Sequence, residues 1–219
     1  MIRSKVSLAD QIYQRIEKNI IQGEYAREEV LSENEIADKL GVSRTPVREA
    51  LNRLEQDHMV ESTGKGVRII GISPKDIMTM YDARVALEGM CVRETAENIT
   101  EEELNQLKDI VEYAEYCLEK NGDAEKIRDC DDQFHDLIYT ASKNQVLYNI
   151  LIPLHKKVSK YRRINLTDPV RAGKSCKEHR QIYEALKKGD VDQAEKVAVA
   201  HVEKAKNHMV KKMKQQGQN

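Results

Sequence analysis

From Ser73 onward, apolar residues recur at a spacing near 3.6, and this regularity restricts most of the chain to helices. "ISPKD" supplies the start: Ser73 can cap, and Pro74 takes the first helical position, where a missing N–H costs little. Breaks then fall at "AENITEEE", where Thr100 and Glu103 form a capping box, and at "KNGD", "SKNQ", "NLTDP" and "KKGD". This punctuation predicts about six helices after residue 73. One Phe, no Trp and four Pro among 219 residues agree with a helical chain. That length can bury a core in one large domain or two smaller ones, and no solenoid repeat or low-complexity segment is visible.

Before residue 73 the pattern differs. "VSLADQIYQRIEKNIIQGEY" puts Leu8, Ile12, Ile16 and Ile20 at helical spacing, with Gly23 as the stop. "LSENEIADKLG" pairs Ser32 with Glu35 as a capping box and ends at Gly41. "VSRTPVREALNRLEQD" starts a helix at Ser43 and tolerates Pro46 in its first turn. In "MVESTGKGVRIIGI", β-branched residues flank a Gly-Lys-Gly turn, the mark of a short hairpin. Three helices and a hairpin outline a winged helix-turn-helix. The expected fold is mainly α: a winged helix-turn-helix over residues 1–72 and an all-α helical bundle over residues 73–219.

With 36 Lys+Arg against 37 Asp+Glu, the net charge is −1, and no global basic field announces nucleic acid. Residues 1–72 hold 11 basic and 12 acidic residues, so DNA binding must come from a local patch. Ser43, Arg44, Thr45 and Arg48 open one helix with hydroxyls, free N–H groups and guanidinium forks, the groups that hold phosphates and read guanine edges. Arg53 follows on the same helix, and Lys65 stands between Gly64 and Gly66 at the hairpin tip. The four cysteines, Cys91, Cys117, Cys130 and Cys176, form no short-spaced pair and read as core residues of a reduced compartment. No apolar run of about 20 residues and no signal-peptide core is seen, so a cytoplasmic protein without a membrane partner is expected.

"LSENEIADKLGVSRTPVREALNRLEQDHMVE" resembles the winged helix-turn-helix of the GntR superfamily of bacterial transcription regulators. The resemblance implies that Arg44, Thr45 and Arg48 contact DNA, that Ser43 helps at the phosphates, and that Gly64, Lys65 and Gly66 form the wing. One departure stands out: family members usually carry Arg where this chain has Asn34.

In "CDDQFHDLIY", Asp131 and His135 lie one turn apart on the flank of a stripe formed by Ile127, Cys130, Phe134, Leu137, Ile138 and Ala141. Alone, the pair needs no more than a hydrogen bond at a core margin. The pattern recurs, however. His179 shares a stripe with Cys176, Ile182, Tyr183 and Leu186, and His201 shares one with Ala194, Val197, Ala198 and Ala205. Three imidazoles and a carboxylate from facing helices suit a divalent transition metal: zinc first, with nickel, manganese or iron as alternatives. His155 reads as peripheral, His208 as outlying, Asp132 as solvent-facing, and Arg162 and Arg163 as a solvated basic run. Asn144 reads as a helix cap.

"D-x-x-F-H" at Asp131, then "E-H" at Glu178, then His201 make the helical region similar to the FadR-type C-terminal effector domain, called FCD. The resemblance implies Asp131, His135, His179 and His201 as ligands, which places the chain in the metal-binding subset. Arg84 and Glu88, four apart on an amphipathic helix, either face the same cavity or pair on the surface, and the resemblance favours Arg84 as an anchor for a ligand carboxylate. Ser175, one turn before His179, adds a contact. The expectation is a DNA-binding transcriptional regulator, a repressor rather than an enzyme, whose homodimer binds double-stranded DNA at a palindromic operator and senses a small carboxylate metabolite. Two rivals are a regulator for which the metal is itself the signal, and a metal-dependent enzyme. No base or nucleophile motif beside the ligands supports the second.

Overall fold

Caps and glycine stops set the element boundaries in the computed structural model, which describes residues 7–120, 124–165 and 168–215. Residues 121–123 and 166–167, within two of the expected breaks, lie outside the described residues. The chain forms two compact units, Met1–Ser73 and Pro74–Asn219.

In the first unit, α1 (Leu8–Gln22) opens on a Ser7/Asp10 capping box and closes at Gly23, whose φ of 77° is easy only for glycine. Its buried face carries Ala9, Ile12, Ile16 and Ile20, whereas Leu8, expected in that stripe, is 50% exposed. As the first helical residue, Leu8 has no preceding turn to pack beside. Helix α2 (Glu33–Leu40) uses the Ser32/Glu35 capping box and turns at Gly41, φ 67°. Helix α3 (Arg44–Gln56) buries Val47, Ala50, Leu51 and Leu54 and packs on α1. The Ser43 hydroxyl makes no cap hydrogen bond there. Strands β1 (Val30–Leu31), β2 (Val60–Thr63) and β3 (Gly66–Ile69) form an antiparallel sheet in the order β1-β3-β2. The hairpin β2–β3 is the expected one. Strand β1 is not legible in sequence, because two residues cannot display a period of two.

The second unit holds α4 (Pro74–Asn98), α5 (Glu101–Glu119), α6 (Ala124–Ala141), α7 (Gln145–Asn165), α8 (Pro169–Lys187) and α9 (Val191–Gln215). Helix α4 runs against α9, α5 packs on α6 and α8, and α7 packs on α4 and α6. The shared core includes Val92, Leu107, Phe134, Ile138, Leu151, Ile182 and Ala198. Gly89 lets α4 and α9 approach closely, since a Cβ there would stand 2.8 Å from Val199 Cγ2. The Asn144 side chain caps α7, its Oδ1 accepting from the N–H groups of Val146 and Leu147 at 3.0 Å each. All four cysteines are free and buried, and burial pushes the Cys91 and Cys176 thiols up to about 12.

Candidate nucleic-acid interface and metal centre

The first turn of α3 exposes Ser43, Arg44, Thr45 and Arg48. Arg48 grips Glu33 with two hydrogen bonds, Nε to Oε1 and Nη2 to Oε2, both 2.8 Å, and Arg44 Nη2 donates to the same carboxylate at 3.2 Å. The Arg48 hydrogen bond above all, with Arg44 behind it, holds the Glu33 carboxyl at about 2. Side chains of Arg44 and Arg48 remain 58% and 57% exposed, so the clamp orients both guanidiniums while leaving them open to a ligand. A cavity of about 370 Å³ lies between α3 and the hairpin, lined by Glu33, Asn34, Arg44, Arg48, Thr63 and Lys65 among others. Gly64 and Lys65 are exposed at the tip, while Gly66 begins β3. Arg53 does not join this face. It pairs with Asp10 and covers the Tyr13 ring at 4.4 Å, which turns it towards α1.

In the helical unit, α6, α8 and α9 bring His135, His179 and His201 together. Each can offer one ligand atom, and these atoms lie within 4.8 Å of one another. Ring centroids are 5.3 Å apart for His135–His179, 5.4 Å for His135–His201 and 4.7 Å for His179–His201. All three side chains are buried. Carboxylates stand behind two of the rings. Glu178 Oε2 is 2.8 Å from His201 Nδ1, and Glu88 Oε2 is 3.6 Å from His135 Nδ1, with the Tyr139 hydroxyl 3.4 Å away. Burial works to raise Glu178, but His201 and Arg171 hold it at about 2, so it is an ionised acceptor for the Nδ1 proton and leaves Nε2 to the centre.

The donor set fits a metal. Burial, reinforced by the neighbouring His201 ring, pushes His179 down to about 3, and burial with His155 pushes His135 well below the usual histidine range. Neutral rings keep the lone pair that a cation needs. His179 Nε2 is buried with no hydrogen-bond partner and lies 3.7 Å from Asp131 Oδ1. Burial works to raise Asp131, yet the Arg162 guanidinium and the imidazoles hold it well below the carboxylate range. Asp131 Oδ2 accepts from Arg162 Nη2 at 2.7 Å, and Oδ1 accepts from Ser175 Oγ at 3.3 Å. Ser175 thus sits beside the centre.

Three expectations need correction. His155 is not peripheral: it is 2% exposed, and its ring centroid is 4.4 Å from that of His135. Its place at helical spacing from Leu147, Leu151 and Val158 is the signal that marks it as inward-facing. Asp132 is not idle in solvent, because it accepts from Ser159 Oγ at 2.8 Å and Arg163 Nη2 at 2.6 Å and stands 3.0 Å from His155 Nε2. Arg162 and Arg163 therefore belong to this network rather than to a solvated run. Arg84 is 2% exposed and spends its Nε on Glu88 Oε1 at 2.6 Å, which the Tyr139 hydroxyl also reaches at 2.7 Å. A buried guanidinium needs a counter-ion, and Glu88 supplies it. The cavity beside His179, also about 370 Å³, is lined by the guanidiniums of Arg128, Arg162 and Arg171.

A winged helix-turn-helix that presents two arginines, carried with an all-helical bundle, defines the class of one-chain transcriptional regulators. Residues 8–69 match the gntR family of bacterial regulatory proteins, and residues 79–204 match the FCD domain. The chain belongs to the GntR family of transcriptional regulators, in its FadR-type branch. It is 31% identical to the uncharacterized HTH-type transcriptional regulator YdhC of Bacillus subtilis, over 87% of this chain and 86% of that one. It is also 31% identical to the gluconate operon transcriptional repressor of Bacillus subtilis, over 69% of this chain and 63% of that one. The solved structure of Lar from Listeria monocytogenes shares the fold, with a TM-score of 0.75 at 20% identity over 95% and 99% of the two chains. Among the described residues, no helix is long and apolar enough to cross a membrane.

Proposed function

We propose that the chain is a cytoplasmic repressor whose helical unit holds a divalent metal and reads a small organic acid through it. The observation that carries this reading is the trio of buried imidazoles whose ligand atoms lie within 4.8 Å of one another, with an orphaned His179 Nε2 among them. His135, His179 and His201 would hold the ion, and Asp131 would complete the set by turning from Arg162. Bound there, the metal supplies a positive centre that attracts carboxylate oxygens. Glu178 and Glu88 fix the ring orientations of His201 and His135, and Arg84 neutralises Glu88. Ser175 steadies the Asp131 carboxylate. Zinc suits three nitrogens and one oxygen best.

Ser43, Arg44, Thr45, Arg48 and the wing Gly64-Lys65-Gly66 would carry DNA contacts. A homodimer would match a palindromic operator, since two-fold symmetry in the protein requires it in the site. The acid acts by binding one arrangement of the dimer more tightly than another. A relative named for the gluconate operon fits an organic acid as signal. Elemental analysis and native mass spectrometry of the full chain test the reading together. The expected result is one metal per chain in a dimer, lost in His135→Ala/His179→Ala. Operator affinity that tracks metal alone, with no response to added acids, would instead make the metal the signal.

A further inference from the structure

Buried polar atoms without partners are rare in folded proteins, and a concentration of them marks where a ligand belongs. Among the described residues, eight buried side-chain nitrogen or oxygen atoms lack a hydrogen-bond partner. Six of these line the cavity beside His179: Tyr81 Oη, Arg128 Nε, Arg171 Nε and Nη1, His179 Nε2 and His208 Nε2. They form two tiers. His179 marks the histidine tier. Arg128 lies seven residues before His135 on α6, Arg171 eight before His179 on α8, and His208 seven after His201 on α9. Helices α8 and α9 are joined by a tight turn at Gly189, so Arg171 and His208 lie at the same end. Asp168, at the start of α8, also lines the cavity and stands 3.3 Å from His208 Nε2 and 3.1 Å from Lys212 Nζ, so it fixes that juxtaposition and gives His208 a carboxylate neighbour of its own.

Two turns of helix separate the tiers by about 10–12 Å. Glu178 engages only Nη2 of Arg171, at 2.8 Å, leaving the other two nitrogens for something else. Between the tiers the wall is apolar, with Ile127, Ala172, Ala205 and Met209. Subtracting a metal–oxygen bond and a charge-assisted hydrogen bond leaves roughly 5–7 Å between the anionic atoms of a bridging ligand. We propose that this cavity takes a dicarboxylic acid of about four to six carbons, with one carboxylate at the histidine tier and the other at Arg128 and Arg171. A sugar acid with a single carboxylate leaves the second tier unmatched, and its hydroxyls would lie against the apolar wall. The inference rests on the metal-centred reading above, and it assigns the far end of the same site.

The test is calorimetric titration of the zinc-loaded full chain with succinate, glutarate and adipate, each beside its one-acid counterpart, butyrate, valerate or hexanoate. One diacid should bind at least tenfold more tightly than its monoacid. In Arg128→Gln and Arg171→Gln that ratio should fall to near one with zinc content unchanged, and Arg128→Lys should restore part of it. Ratios within twofold at every length would overturn the proposal, as would a ratio that survives in both glutamine variants. Should the variants fold poorly, the ratio in the unaltered chain decides. Elemental analysis separates the two readings. A chain that takes up no zinc yet prefers the diacid rejects the metal centre and supports the basic tier. A chain that holds zinc and binds both acids alike rejects the basic tier alone.

Discussion

Single residues carry the charge logic of both units. Glu33 organises the exposed first turn of α3, because one carboxylate fixes both Arg44 and Arg48. Its folded-state value near 2 is depressed from 4.5, so the contribution of this clamp is present above pH 4.5 and disappears as pH falls through about 2. In Arg48→Ala the Glu33 midpoint, followed by carboxyl NMR, should rise towards 4.5, with Arg44 retaining part of the depression. The same variant should lose roughly 1–3 kcal/mol of operator affinity in a binding titration. Equal affinities would remove Arg48 from the interface. Asn34 lines the cavity between α3 and the β2–β3 hairpin. Asn34→Arg is expected to steepen the dependence of log affinity on log salt by about one phosphate contact. The arginine run was legible in sequence only in part: Arg44 and Arg48 share a face, but Asp10 and Tyr13 divert Arg53, and no local pattern reveals a partner 43 residues away.

At the scale of elements, the wing depends on one backbone contact. A Cβ on Gly66 would stand 2.2 Å from the Leu31 carbonyl oxygen, and backbone cannot yield as a side-chain tip can. Gly66→Ala should therefore cost about 1–3 kcal/mol in the winged unit and weaken the pairing of β1 with β3, read by denaturant unfolding and amide exchange. Unchanged protection at Val30 and Leu31 would show that the strand tolerates the methyl. The capping boxes at Ser32 and Thr100 and the glycine stops at Gly23 and Gly41 were readable because each is decided within four residues. Strand β1 was not, since only its pairing with Arg68 and Val67 makes it a strand.

For the whole molecule, each unit has its own buried core, so metal binding should register in the helical unit. Zinc at a hundred times its dissociation constant is expected to stabilise that unit by about 2.7 kcal/mol over chelated protein. Differential calorimetry reads the shift, and hydrogen exchange should place the added protection in α6, α8 and α9. An unchanged melting temperature on chelation would count against the metal centre. The removal of His135 and His179 should abolish the shift while leaving far-ultraviolet helicity intact.

The sequence alone determined the periodicities, caps and turns, and with them the two-unit plan and the inward placement of His135, His179 and His201. Those features are local: a helix of known phase sends a residue inward or outward whatever its neighbours are. Only the tertiary structure decided which charge meets which. It drew Arg162 to Asp131 and set His155 against His135. It also left Arg128, Arg171 and His208 facing one cavity. Ion pairing and desolvation act through space between helices far apart in the chain, and one sequence holds no record of those distances.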